Sequence, residues 1–287
     1  MSPAVKRPWY MFYPLAGMLL LCILWSGYWF VKSGIVHTIV AQQRANLAAQ
    51  GLELTCANES WGGFPFRFEF QCEVPNFHYG GMSLASSKLL AIAQAYNPSH
   101  VLLLVNGPTS LSTPLQNFAA THDDALISIE GHDNGDWDVS SDAALLDVPK
   151  LFSSAQVRLF ARQVDGKTEL AGNLTGVVLK GQINLETAEF RTQLIDTQTL
   201  DIKELKLTSG PVNFAATGTL GLDARHQRAG KLSTQTNDSD ALIELISPLF
   251  QISEKDGVTI KSLIKAQNPD PSAPLQKANF TAHHGGI

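Results

Sequence analysis

The chain has 287 residues, 44% of them apolar and 16% charged, with a net charge of −5 at neutral pH. The charge is unevenly placed: residues 1–52 carry four basic side chains and no acidic one, whereas from Glu53 onward 17 basic residues stand against 26 acidic ones, a net of −9. That balance, with no basic stripe, excludes a nucleic-acid-binding surface.

Trp9 to Val31 is a run of 23 residues with no side chain charged at neutral pH. At ~1.5 Å per residue it makes a helix of roughly 35 Å, enough to cross a hydrocarbon core of about 30 Å. A cleaved signal has an apolar region of about 7–15 residues ending at small residues. This run is longer and ends in Trp25-Ser26-Gly27-Tyr28-Trp29-Phe30. Trp9, Tyr10, Phe12 and Tyr13 at one end, and Trp25, Tyr28, Trp29 and Phe30 at the other, have the placing of interfacial belts on a retained span. Lys6 and Arg7 precede the run, and the positive-inside rule therefore puts residues 1–8 in the cytoplasm and the bulk of the chain across the membrane. Beyond it, Ile35, Val36, Ile39, Val40 and Leu47 keep helical spacing as far as Gly51, so residues 32–51 are predicted to extend the helix, with Gly34 as a candidate hinge.

Cys22 lies inside the span, which leaves Cys56 and Cys72 as the one pair in the exported part. In an oxidising compartment such a pair is predicted to bond; the alternative is two buried thiols. Between them, Phe64, Phe66, Phe68, Phe70, Cys72 and Val74 alternate with polar residues from Arg67 on, the period of a half-buried strand. Pro65 belongs at its start or on an edge. The face Phe64, Phe66, Phe68 and Phe70 is either packed core or an apolar-ligand groove.

Further along, Leu89, Ala91 and Ala93 alternate before Asn97-Pro98, and Val101 to Val105 is a short apolar strand. Asn134-Gly135 and Asp165-Gly166 predict tight hairpins, the first between strands 125–131 and 137–140, the second between 157–164 and 167–170. Strands are also predicted over 176–185, 189–195, 200–207 and 212–224, with a bulge where alternation slips at Lys203-Glu204. A helix capped by Asn237 or Asp238 carries Leu242, Ile243, Leu245, Ile246, Leu249, Phe250 and Ile252 on its apolar side, and Pro248 should kink it. Residues 258–266 suit helix or strand equally. The fold class is mainly β (α+β): an N-terminal transmembrane helix, then one exported β-rich domain over 52–266 built as a curved antiparallel sheet with one or two covering helices. Residues 267–287, rich in Pro, Asn, Gly and His, read as a tail.

No pattern demands catalysis, a cofactor or a metal. Gly166-Lys167-Thr168 lacks the earlier glycine of a phosphate loop, Ala161 standing in its place. His132-Asp133-Asn134-Gly135-Asp136-Trp137-Asp138 offers oxygen ligands but has Ala144 where a calcium loop places its bidentate acid, so a polar turn is expected. The eight histidines form no helical metal pair, and neither a nucleophile elbow nor a Cys-x-x-Cys occurs. A non-enzyme is expected.

Trp61, Gly62, Gly63, Phe64, Pro65, Phe66, Arg67 and Phe68, then Cys72, followed by Asn97-Pro98-Ser99-His100-Val101 and Asn106-Gly107-Pro108, resemble the bacterial Domain of Unknown Function 2125 family. The motif residues are Trp61, Gly63, Phe64, Pro65, Phe66 and Arg67, and the similarity runs from the span to about residue 265. The resemblance implies one N-terminal span in the bacterial inner membrane and a β-rich domain in the periplasm. It implies no activity. Gly218-Thr219-Leu220-Gly221-Leu222-Asp223 through Leu249 is similar to AsmA-like envelope proteins, which are linked to lipid handling. The same resemblance leads one to expect further apolar strand after Gly286, where Ile287 stops. Three functions remain open on these residues. They are an envelope protein holding or passing lipid along a sheet groove, a scaffold for other envelope proteins, and a hydrolase with dispersed catalytic residues.

Overall fold

The computed structural model describes residues 12–179, 182–196, 199–222, 228–250 and 276–282. Helix α1 is continuous over Tyr13–Ala49, 37 residues, and so about 55 Å long at ~1.5 Å per residue. It is long and apolar enough to span a membrane. No break occurs at Gly34, so the expected hinge is corrected: an isolated helical glycine lowers propensity by only about 1 kcal/mol, too little to open a helix held on both sides of it. Gly51, at φ 84°, follows the last turn and ends the helix in the left-handed region that glycine adopts freely.

Sixteen described strands form one antiparallel sheet. In chain order they are β1 Leu52–Thr55, β2 Asn58–Gly62, β3 Arg67–Glu73, β4 Asn76–Tyr79, β5 Met82–Gln94 and β6 Asn97–Ser112. β7 Asn117–Ala120, β8 Ala125–Gly131, β9 Trp137–Val148, β10 Phe152–Val164 and β11 Lys167–Leu179 follow. β12 Ile183–Leu194, β13 Thr199–Ser209, β14 Val212–Leu222 and β15 Arg228–Thr236 lead to helix α2, Ser239–Phe250, and β16 Gln276–Ala282 closes the sequence. The main path is β1-β4-β5-β6-β8 and then each strand in turn to β16, while β2 and β3 pair as a hairpin that joins the sheet through β5. Nearly every connection is thus a hairpin, and the Asn134-Gly135 and Asp165-Gly166 turns fall where the sequence puts them, with Gly135 at φ 88° and Asp165-Gly166 at 52° and 74°. The slip at Lys203-Glu204 is a register shift on both sides of β13, as a bulge requires.

Four expectations are corrected. The strand predicted over 176–185 is the end of β11 and the start of β12: Leu179 lies opposite Ile183 and the Gln182 amide donates to the Leu179 carbonyl, so the chain reverses inside that segment. Phe64 and Phe66 precede β3, which opens only at Arg67; Gly63, at φ 99°, begins a turn in which the Arg67 amide bonds back to the Gly63 carbonyl. Val74 is not on the buried face: at φ 48° it turns the chain and is exposed. The supposed tail contributes β16, seven residues paired along β15. Residues 9–11 of the first belt, Ile252, residues 258–266 and the C-terminal 283–287 lie outside the described residues.

Directly opposed residues share a sheet face, and the register resolves two very different faces. One row runs Phe70, Ala91, Leu103, Ile127, Ser141, Leu159, Gly172, Phe190, Leu205, Ala216. Its neighbour runs Phe68, Ala93, Val101, Ile129, Val139, Ala161, Leu170, Thr192, Ile202, Gly218. Both are apolar from β3 to β14, with Ser141 and Thr192 the hydroxyl exceptions. The opposite face is apolar at Leu90, Ile92, Leu102 and Leu104 but charged from β9 on, through Asp142, Arg158, Glu189 and Lys206.

Candidate functional site

Helix α1 stands on the first end of the apolar face. Trp29 is buried with Phe68 and Ala95, and Val36 packs against them. Its indole Nε1 donates to the Arg67 carbonyl at 3.1 Å, while Trp25 Nε1 donates to Pro65 O at 2.9 Å and Tyr28 OH to Ala95 O at 3.2 Å. Phe64 packs between Trp29 and Phe30, with ring centroids at 5.2 and 5.8 Å, and Phe66 sits 6.2 Å from Trp25. Higher up, His37 lies on Trp61, Trp61 on Phe70, and Arg44 binds both Glu59 and the Leu54 carbonyl. The second aromatic cluster of α1 is therefore a docking surface for the sheet.

The four phenylalanines divide accordingly. Phe68 and Phe70 are buried, at 5% and 9% exposure, whereas Phe64 and Phe66 remain 52% and 65% exposed. Their face is neither closed core nor open groove; α1 covers its inner half and touches the turn while leaving more than half of each turn phenylalanine exposed. Cys56 and Cys72 are bonded, and Cys72 joins Phe70 and Leu89 in a cluster with Leu54, Trp61 and Phe77. The motif residues also acquire physical roles. Gly63 needs its positive φ, and a Cβ there would collide with the Arg67 carbonyl. Pro65 and Arg67 offer their carbonyls to the two indoles, and the Arg67 side chain pairs with Glu69.

At the far end, α2 lies over the sheet with Leu245 packed on the cluster of Val177, Ile183 and Leu185, beside Leu174, Ala188 and Leu207. Asp238 caps it, its Oδ1 accepting from the amides of Asp240 and Ala241 at 3.0 Å each. Pro248 lies in its last turn, and α2 runs through it. Between α1 and α2 no described helix or strand is stacked on the apolar face. Leu159, Leu194 and Leu220 there are 42%, 37% and 43% exposed. Phe190 lies across Gly172, whose missing side chain makes room for the ring. With strands about 4.8 Å apart, the nine intervals from β3 to β14 carry this face across roughly 43 Å. Sequence alternation marks each strand's apolar side, but only the register shows that the sides join into one surface.

The polar face holds the groups that most resemble chemistry. His100 Nε2 and Ser128 Oγ are 2.8 Å apart, with Glu130 directly across from His100. The Gly166-Lys167-Thr168 sequence is a hairpin turn entering β11. At the Asn134 turn His132 Nε2 contacts Asp138 Oδ2 at 2.8 Å, and that bond, then the Asp138, Glu130 and Asp136 charges, raises the imidazole pKa above 6.5. Among the described residues no three His, Cys, Asp or Glu side chains converge as a metal site would need.

The family described as an uncharacterized protein conserved in bacteria (DUF2125) matches residues 29–276. No curated protein and no solved structure matches the chain.

Proposed function

The chain belongs to the bacterial DUF2125 family, and from that premise we propose that it is an inner-membrane envelope protein whose periplasmic sheet holds or passes phospholipid along its apolar face. The observation that carries this reading is continuity: the face begins under Trp29 of α1 and, among the described residues, runs on to α2 with no helix or strand stacked on it. Acyl chains laid there would gain about 0.8 kcal/mol per buried methylene, with no covalent step. Lys6 and Arg7 before α1 support a cytoplasmic N-terminus, and the Cys56–Cys72 bond suits an oxidising compartment.

Phospholipid retention tests it. The full chain, purified in detergent and washed exhaustively, is expected to keep more phospholipid than a Leu159→Glu/Leu205→Glu variant, because both positions lie mid-face. Lipid around α1 is common to both, so the difference reports the sheet; equal retention overturns the reading. A scaffold role has one observation in its favour: β16 pairs with β15 alone among the described strands, leaving an edge where a partner's strand could add.

A further inference from the structure

We infer that the two turns at the lower edge of the sheet, residues 63–66 and 95–96, are sunk in the membrane beside α1, with Phe64, Phe66 and Tyr96 at the boundary between acyl chains and headgroups. The inference rests on α1 spanning the bilayer and not on lipid binding along the sheet. Lys32 is the first charged residue after the span, and Trp25 lies seven positions before it. At ~1.5 Å per residue, the turn that Trp25 holds at Pro65 O therefore sits about 10 Å below Lys32 along the helix. Tyr28, which holds Ala95, also lies below that level.

The side chains agree with this depth. Phe64, Phe66 and Tyr96 are 52%, 65% and 70% exposed on adjoining turns. Three aromatics each more than half exposed on adjoining turns are unusual against water and favoured at a membrane interface. Two basic groups, Lys32 over the Tyr28 ring and Arg67, paired with Glu69, at the base of the turn, stand at the level where lipid phosphates would lie.

The backbone supplies an independent argument. Peptide groups leave water only if their hydrogen bonds are made inside the protein. Pro65, Arg67 and Ala95 each give their carbonyl to an aromatic donor of α1. The Phe66 carbonyl accepts from the Ala95 amide at 2.9 Å, the Gly63 carbonyl accepts from the Arg67 amide at 3.0 Å, and Pro65 has no N–H to satisfy.

The test uses the full chain with Cys22→Ser, reconstituted in vesicles of phosphatidylethanolamine and phosphatidylglycerol. An environment-sensitive nitrobenzoxadiazole label is placed at Phe66→Cys, at Tyr96→Cys, or at Leu115→Cys, which is 98% exposed beyond the other end of β6. Labels at 66 and 96 are expected to be blue-shifted, quenched severalfold more than at 115 by lipid spin-labelled near the headgroup, and shielded from aqueous iodide. Iodide quenching at 66 and 96 equal to that at 115 overturns the inference. Shielding from both quenchers does so too, since it means a protein partner covers the turns. The two positions lie on separate turns, so misfolding at one leaves the other to decide.

Discussion

Phe66 and Phe68 are two residues apart, and the sequence pattern treats them alike. Their environments differ because Phe68 is packed against Trp29 while Phe66 tops a turn. Phe68→Ala is expected to destabilise the protein by about 3–5 kcal/mol, the cost of emptying an aromatic core site. Phe66→Ala should cost about 0.5 kcal/mol or less in detergent, as exposed substitutions do. Chemical denaturation of both variants checks the contrast. His132 offers a second residue-scale expectation. Its folded pKa is raised above 6.5 by the bond to Asp138. The bond's contribution is therefore fully present below the unfolded pKa and lost as pH rises through the folded value. NMR titration should find His132 above 6.5, and Asp138→Asn should bring it back toward that value; an unshifted native His132 would remove the pair from the account.

At the scale of elements, the β2–β3 hairpin is fixed twice, by the disulfide at its open end and by the indoles of α1 near its turn. A loop of 16 residues closed by a disulfide is worth about 3 kcal/mol in the chain-entropy model. Cys56→Ser/Cys72→Ser should lose about that much against denaturant and should weaken the protection of the hairpin from proteolysis near Trp61. Much of this element was legible. The alternation from Arg67 to Cys72, the pairing of the cysteines and the stop at Gly51 all follow from local chemistry. The docking role of Trp25 and Trp29 is not legible in the sequence, because an aromatic belt at a membrane interface and an aromatic clamp on a neighbouring sheet share one composition. The reversal between β11 and β12 is hidden for a different reason: Val177, Leu179, Ile183 and Leu185 all fall on odd positions, so the alternation of one strand continues in phase into the next.

For the whole molecule the sequence carries the parts and the register carries the sum. Each strand announces its apolar side, yet whether those sides meet depends on pairings separated by a dozen residues or more. The structure lines them up from Phe70 to Ala216 on a single apolar face that starts against a span-length helix and, among the described residues, carries no helix or strand between α1 and α2. The polar face, with ladders such as Asp142–Arg158 and Arg162–Glu169, meets water. Exposed pairs of this kind add about 0–1 kcal/mol each, so their use is to keep that face wet rather than to hold the fold. The central claim is that lipid occupies one face and not the other, and alternation along the strands makes it measurable. A photo-crosslinking amino acid placed at Leu103, Leu159 or Leu205 in cells grown on radioactive phosphate should yield labelled phospholipid adducts, whereas the same group at Leu102, Arg158 or Lys206 should not. Adducts at both sets, or at neither, would contradict the account.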